Sequence, residues 1–262
     1  MLTPAEFERL HRPGDPLLLP NAWDLASARW LRAAGHPVVG TTSLGVAVAA
    51  GKPDGAGETA AETLDLARRI TAAGIPVTVD LEAGFSDDPV EVGAFAAQLE
   101  QLGVVGVNIE DSDAAGRLVD VALASAKVAA IAAAAPGLYL NARTDPFWIA
   151  GATDAAARRR EAIARAERYL AAGASGIFVP GALPAETIAA LVRDIPAPLN
   201  LLAPAGLTVP ELASLGVARV STGSLLFRIA LGAIGSAARE LRAGTFTAPS
   251  GTPSYEEVAS LG

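Results

Sequence analysis

An alternation limits what this chain can fold into. Eight short apolar runs recur along its 262 residues, at 16–20, 36–40, 77–82, 104–110, 138–143, 176–179, 199–202 and 217–221. A helix-forming stretch follows each, at 25–34, 59–73, 89–102, 121–135, 153–172, 184–193, 209–215 and 224–243. Gly35, Gly74, Gly103 and Gly173 stand just past four of these stretches, where a left-handed residue ends a helix without steric cost. Asp24 precedes the first helix, and Asp87-Asp88-Pro89 opens the third with a cap and a first-turn proline. A strand buried on both faces reads as a continuous apolar run. Strict alternation over this length predicts an α/β fold, a (β/α)₈ TIM barrel. Residues 1–262 are expected as one such domain, with a helical tail from about 224 to 262. An open doubly wound sheet is the competitor. No GxGxxG or GxxxxGK[ST] opens the first helix, so its nucleotide-binding versions lack their fingerprint.

Composition removes several chemistries. Net charge is −8 with no basic run, which disfavours nucleic acid as a partner. The absence of cysteine removes disulfides, thiolate metal ligands and a cysteine nucleophile. Residues 1–15 are charged and lack an apolar core, and longer apolar runs are interrupted before membrane-spanning length. A soluble cytoplasmic protein is expected, with no membrane partner.

In a barrel, the carboxyl ends of all strands meet at one mouth. The stretch VTVDLEAG, at 77–84, ends in Asp80 and Glu82. Residues two apart in a strand face one side, so a strand running through Glu82 would present both acids together. Like charges brought together need a counter-charge, and a divalent cation supplies one. Glu110 and Asp111 end the next strand, Arg143 and Asp145 the one after, and Asp54 lies in the long 41–57 loop. Singly, each acid reads equally well as a cap or a solvated turn. Together, hard oxygen ligands without His or Cys predict Mg²⁺ or Mn²⁺. Arg143 reads either as an ion pair with Glu110 or Asp145 or as a clamp on a substrate carboxylate or phosphoryl group. Thr42, Ser43 and Leu44 either offer N–H groups and hydroxyls to an anion or form an ordinary turn. The turn at 221–224 reads as a helix cap in preference to a phosphate site. His11 and His36 lie away from the mouth, and neither Lys52 nor Lys127 ends a strand. A histidine triad and a Schiff-base mechanism are therefore not expected.

The segments LPNAWD (19–24), GTTSLGVAVAAGKPD (40–54), VDLEAGF (79–85), GVNIEDS (106–112) and NARTDPF (141–147) resemble the isocitrate lyase / phosphoenolpyruvate mutase superfamily in order and spacing. GASGIFVPG (173–181) and GVARVSTGSLLFR (216–228) continue the likeness. The resemblance implies a (β/α)₈ barrel whose C-terminal helix is swapped between subunits of a homodimer or homotetramer. It implies Mg²⁺ held mainly by Asp80, with Asp54, Glu82 and Glu110 acting largely through water. Thr42, Ser43 and Leu44 match the segment that holds the substrate carboxylate, and Arg143 matches the substrate-binding arginine. Arg143, Glu110 and Asp54 are the implied catalytic set. The implied ligand is a small anionic metabolite, a 2-oxo acid, oxalate-like group or phosphonate, reacting through an enolate. Three departures stand out. Family lyases carry a cysteine after strand four, and this chain has none. Mutases and phosphonopyruvate hydrolases carry lysine and asparagine on that loop, which here runs Ser112 to Arg117 without either. The mutase histidine near the end of strand six is replaced at Pro180. Ser112 and Arg117 are candidates to substitute. The reading is a Mg²⁺-dependent C–C lyase. The alternatives are a C–P mutase or hydrolase and a metabolite-binding homologue with reduced catalysis.

Overall fold

The computed structural model describes residues 2–149, 154–203 and 206–262. Its nine parallel strands are β1 (Leu17–Leu19), β2 (Asn21–Ala22), β3 (Val39–Thr41), β4 (Val77–Asp80), β5 (Gly106–Ile109), β6 (Tyr139–Arg143), β7 (Gly176–Phe178), β8 (Leu199–Leu202) and β9 (Arg219–Ser221). Their order in the sheet is β1-β9-β8-β7-β6-β5-β4-β3-β2. β1 and β2 are halves of one strand, separated at Pro20, which has no N–H to give to a ladder. One half pairs with β9 and the other with β3. Both ends of the order are thus the same strand, and the sheet closes into the expected (β/α)₈ barrel.

The helices are α1 (Pro4–Glu8), α2 (Leu25–Ala33), α3 (Ser43–Ala49), α4 (Ala60–Ala72), α5 (Pro89–Gln101), α6 (Val121–Ala134), α7 (Ala155–Ala171), α8 (Ala185–Asp194), α9 (Val209–Ser214), α10 (Leu225–Arg242) and α11 (Tyr255–Ala259). Asp24 and Asp88 cap α2 and α5 by accepting from the Ser27 and Val90 N–H groups. Residue 153, the expected start of the 153–172 helix, lies outside the described residues; Asp154 caps α7. Two helices depart from the sequence reading. α1 forms in the amino-terminal arm through a reciprocal Thr3–Glu6 capping box. α3 forms inside the 41–57 stretch expected as loop. Gly45 lets α3 lie against Trp23, whose Cβ would stand 2.6 Å from any Cβ placed there.

The strands also depart from the continuous apolar pattern expected of them. Val77, Val79, Val107, Leu140, Ile177, Leu199 and Leu201 pack outward in one cluster with the helices. Burying a side chain of this kind stabilises the fold by roughly 1.5–3 kcal/mol. The alternate positions face the barrel interior and are largely polar. Arg219 Nη2 donates to Asn108 Oδ1 at 3.2 Å, although β9 and β5 stand four places apart in the sheet. Only the barrel interior connects them. At the floor, Phe7 of α1 meets Tyr139 edge-on at 5.4 Å, and His11 stacks on Tyr139 at 4.1 Å. Gly176 makes room for the Tyr139 hydroxyl, which a Cβ there would strike. Past the barrel, α10 buries only Phe227 and leaves Ile229, Leu231, Ile234 and Leu241 exposed. No described helix is long and apolar enough to cross a membrane.

Candidate active site

β4 ends at Asp80, so Asp80 and Glu82 do not share a strand face as the extended reading required. Glu82 takes φ 50° and Phe85 φ 61°, a left-handed turn with Gly84 between them. Such backbone costs of order 1 kcal/mol or more per non-glycine residue and persists only where neighbours hold it. Lys127 of α6 is one holder: its Nζ donates to the Ala83 carbonyl at 3.0 Å and to Asp87 Oδ1 at 3.2 Å. The turn buries the Glu82 carboxylate, which accepts from the Gly57 N–H at 3.0 Å and the Thr59 hydroxyl at 2.6 Å.

Asp80 has fewer partners. Its Oδ2 accepts a long hydrogen bond, 3.3 Å, from the Ser43 N–H at the start of α3, and the Ser43 side chain also favours its charged form. Burial raises its pKa, Arg143 opposes the rise and Asp54 adds to it. Glu110 pairs with Arg143 Nη1 at 2.7 Å, and Arg143 Nε donates to Asp145 Oδ1 at 2.6 Å. Arg143 therefore does form the ion pairs with both expected acids. Its guanidinium also lies 5.4 Å from the Trp148 ring and 5.7 Å from the Phe178 ring, within cation–π range. Burial pushes Glu110 up to about 8 against the pull of Arg143, with Asp80, Asp145 and Asp54 pushing the same way. Asp54 is exposed, yet its charge acts on Asp80, Glu82 and Glu110 alike. The structure thus gathers Asp54, Asp80, Glu82, Glu110 and Arg143 within electrostatic reach of one another.

Among the described residues, no three acidic or histidine side chains converge closely enough to cage a metal by themselves. Glu82 and Glu110 are engaged by protein donors, and Asp80 is the least engaged of the mouth's buried or half-buried acids. That donor set suits a cation bound directly by one carboxylate and otherwise through water, which is how Mg²⁺ is commonly held.

Of the other expected members, Ser43 reaches the site and most of the rest are engaged elsewhere. The Thr42 N–H is taken by the Ala22 carbonyl, the Ser43 N–H faces Asp80, and Leu44 is partly exposed in the first turn of α3. Asp111, grouped by sequence with the mouth acids, turns away from them. It accepts from the Tyr169 hydroxyl (2.6 Å), the Asp145 N–H (2.8 Å), the Thr144 hydroxyl (3.0 Å) and Arg165 (3.2 Å). The Ser112 hydroxyl donates to Asp145 at 2.5 Å, while Arg117 pairs with Asp113 on its own loop at 2.8 Å. The 221–224 turn is not a side-chain cap, since Ser224 makes no cap bond. Instead the Thr222 and Gly223 N–H groups donate to Asn21 Oδ1 at 3.1 and 2.9 Å, fastening the barrel seam. Sequence reasoning missed Gly57, Thr59, Trp148 and Phe178. An aromatic beside the NARTDPF segment was the one local signal available for Trp148.

Comparison with known proteins places the chain in a family. Residues 7–242 match the phosphoenolpyruvate phosphomutase family model. A Mycobacterium tuberculosis protein described as uncharacterised is 43% identical over 91% of this chain and 89% of its own. The 2-methylisocitrate lyase of Bacillus subtilis is 32% identical over 74% of this chain and 64% of its own. A Burkholderia cenocepacia structure, provisionally described as a phosphonomutase, superposes with a TM-score of 0.86 at 39% identity, covering 91% of this chain and 100% of its own. A phosphonopyruvate hydrolase solved with oxalate and Mg²⁺ superposes with a TM-score of 0.84 at 25% identity, covering 100% of this chain and 95% of its own. The ordered segments and the closed barrel thus have one origin: the chain belongs to the phosphoenolpyruvate mutase family of the isocitrate lyase / phosphoenolpyruvate mutase superfamily.

Proposed function

We propose that this chain is a Mg²⁺-dependent enzyme that cleaves a C–C bond in a small 2-oxo carboxylate through an enolate-type intermediate. One observation carries the reading. The Asp80 carboxylate stands at the mouth with Ser43 as its only hydrogen-bonding neighbour among the described residues, beside three other acids and one arginine. That excess of negative charge calls for a cation. Asp80 would bind it directly, and Asp54, Glu82 and Glu110 would act through water. When bound, the cation draws charge from the substrate's 2-oxo oxygen.

The chain's own residues supply binding and orientation. Arg143, fixed by Glu110 and Asp145, holds the anionic end of the substrate. Trp148 and Phe178 flank its guanidinium and limit water there. Of the segment Thr42, Ser43 and Leu44, Ser43 is the member that would face the substrate, its N–H being a donor to Asp80. The lyase relative supports carbon-only cleavage. The oxalate and Mg²⁺ held by the phosphonopyruvate hydrolase support the ligand class. Phosphonate chemistry is the second reading, favoured by the 39% identity to the phosphonomutase-type structure and opposed by the short 112–117 loop. The exposed apolar residues of α10 support a homo-oligomer that exchanges this helix, and light scattering should report a dimer or tetramer.

Calorimetric titration of oxalate is the test. Binding in Mg²⁺ that disappears in EDTA is the expected result. Equal binding in both, or none in either, overturns the reading. Turnover of a 2-oxo-acid panel then tests carbon cleavage, and phosphate release from phosphonopyruvate favours the second reading.

A further inference from the structure

Arg219 is fully buried in the barrel interior, 0% exposed. Its Nε donates to the Ser221 hydroxyl at 3.0 Å and its Nη2 to Asn108 at 3.2 Å, while Nη1 has no hydrogen-bond partner. No described carboxylate forms an ion pair with it. Thr78 Oγ1, Tyr139 Oη, Asn141 Oδ1 and Asn200 Nδ2 are also buried without protein partners, at inward positions of their own strands. Ordered water commonly satisfies such atoms. An uncompensated guanidinium is still costly here, since a buried ion carries a penalty of several kcal/mol. An apolar side chain of similar length would serve packing better. Stability alone therefore does not explain Arg219.

Its surroundings lead to the mouth. Asn108 Oδ1 accepts from Arg219 and also from Asn141 Nδ2 at 2.9 Å. Asn108 lies opposite Asp80 in the β4–β5 ladder and two residues before Glu110. Asn141 lies two residues before Arg143, on the same side of β6. Arg219 thus anchors the polar layer directly beneath Asp80, Glu110 and Arg143. Asp80 is also the carboxylate whose charge acts on it most strongly through space.

We propose that Arg219 is a positioning residue of the mouth, a buried second cation that offsets the repulsion between the acid cluster and an incoming anionic substrate. It touches no substrate and acts through Asn108 and through its field. The inference rests on the function proposed above, where acids outnumber the visible cation Arg143. Charge gives it a signature that a packing role lacks. Removing a positive charge tightens a cation and loosens an anion, whereas a packing lesion weakens both.

The experiment compares wild type, R219M and R219K by thermal melting, by Mg²⁺ titration, and by oxalate titration at saturating Mg²⁺. R219M should bind Mg²⁺ up to about tenfold more tightly and oxalate about tenfold more weakly, with a melting temperature unchanged or raised. R219K should return both affinities to near wild type. Parallel weakening of both ligands in R219M overturns the inference, as does a lowered melting temperature with both affinities unchanged. If wild type binds no oxalate, the proposed function fails separately. R219M then decides on the remaining arms: unchanged Mg²⁺ affinity, or a lowered melting temperature, overturns the role of Arg219.

Discussion

Glu110 points into the barrel mouth, and Asp111, one residue later, points into the layer between the barrel and its helices. Burial raises the pKa of both. Their company differs. Asp111 accepts from Tyr169, Thr144, Arg165 and the Asp145 backbone, so its lone pairs are filled. Glu110 has Arg143 alone and feels Asp80, Asp145 and Asp54 pressing against it. A buried polar network that is fully satisfied makes structure rigid. One left short of positive charge is arranged for something that arrives later. The two neighbours thus mark where the fold ends and the site begins.

That contrast can be broken by mutation. D111A should have the largest effect, a loss of about 3–5 kcal/mol in urea unfolding. Tyr169, Thr144 and the Asp145 N–H lose their buried acceptor, and Arg165 loses its buried counter-charge, keeping Glu161 and the Val119 carbonyl. D80A should leave stability within about 1 kcal/mol of wild type. It should lower Mg²⁺-dependent oxalate affinity by more than about 100-fold, roughly 2.7 kcal/mol. If D80A destabilises as much as D111A, Asp80 belongs to the structural set. E110Q comes next, with oxalate affinity down about tenfold, or 1.4 kcal/mol. Its melting temperature should be unchanged or slightly higher, because a neutral amide relieves the crowding from Asp80 and Asp145. A drop comparable to D111A would make Glu110 a structural ion pair and erase the comparison.

The elements were legible where their causes are local. Asp24, Asp88 and the glycines past helix ends act within a turn of the chain, so strand–helix alternation could be read directly. The polar interior was also written in the chain, and the continuous apolar pattern obscured it: VTVD, LNLL and RVS alternate at period two, placing Thr78, Asn200 and Arg219 on one side. The same period separates Glu110 from Asp111, a signal that would have withheld Asp111 from the mouth. The partners of Glu82 could not be read. Gly57 and Thr59 reach it across more than twenty residues, and a left-handed turn at a glutamate has no sequence signature. Positions of the acids followed from topology, whereas their engagement depended on tertiary contacts.

The barrel floor sharpens the contrast by removing access. His11 donates from Nδ1 to the Phe7 carbonyl at 3.0 Å, and its Nε2 is buried with no partner. Burial, reinforced by the charge of Arg219, lowers its pKa to about 3. The unfolded chain, with a histidine near 6.5, takes up a proton first as pH falls. Stability from this residue is therefore constant above about pH 6.5 and declines as pH drops from there toward 3. H11Q cannot titrate, so between pH 8 and pH 6 wild type should lose about 0.8 kcal/mol relative to H11Q in urea unfolding. At pH 8 the two should bind oxalate with equal affinity in Mg²⁺. An identical pH dependence in both proteins would mean that His11 is not held neutral by its burial. A change in oxalate affinity would mean that the floor communicates with the mouth, and incomplete bonding would then mark function at both ends. Equal affinity with a smaller acid loss in H11Q separates them: His11, short-handed at the floor, only costs stability, whereas Asp80, short-handed at the mouth, is placed to meet a ligand.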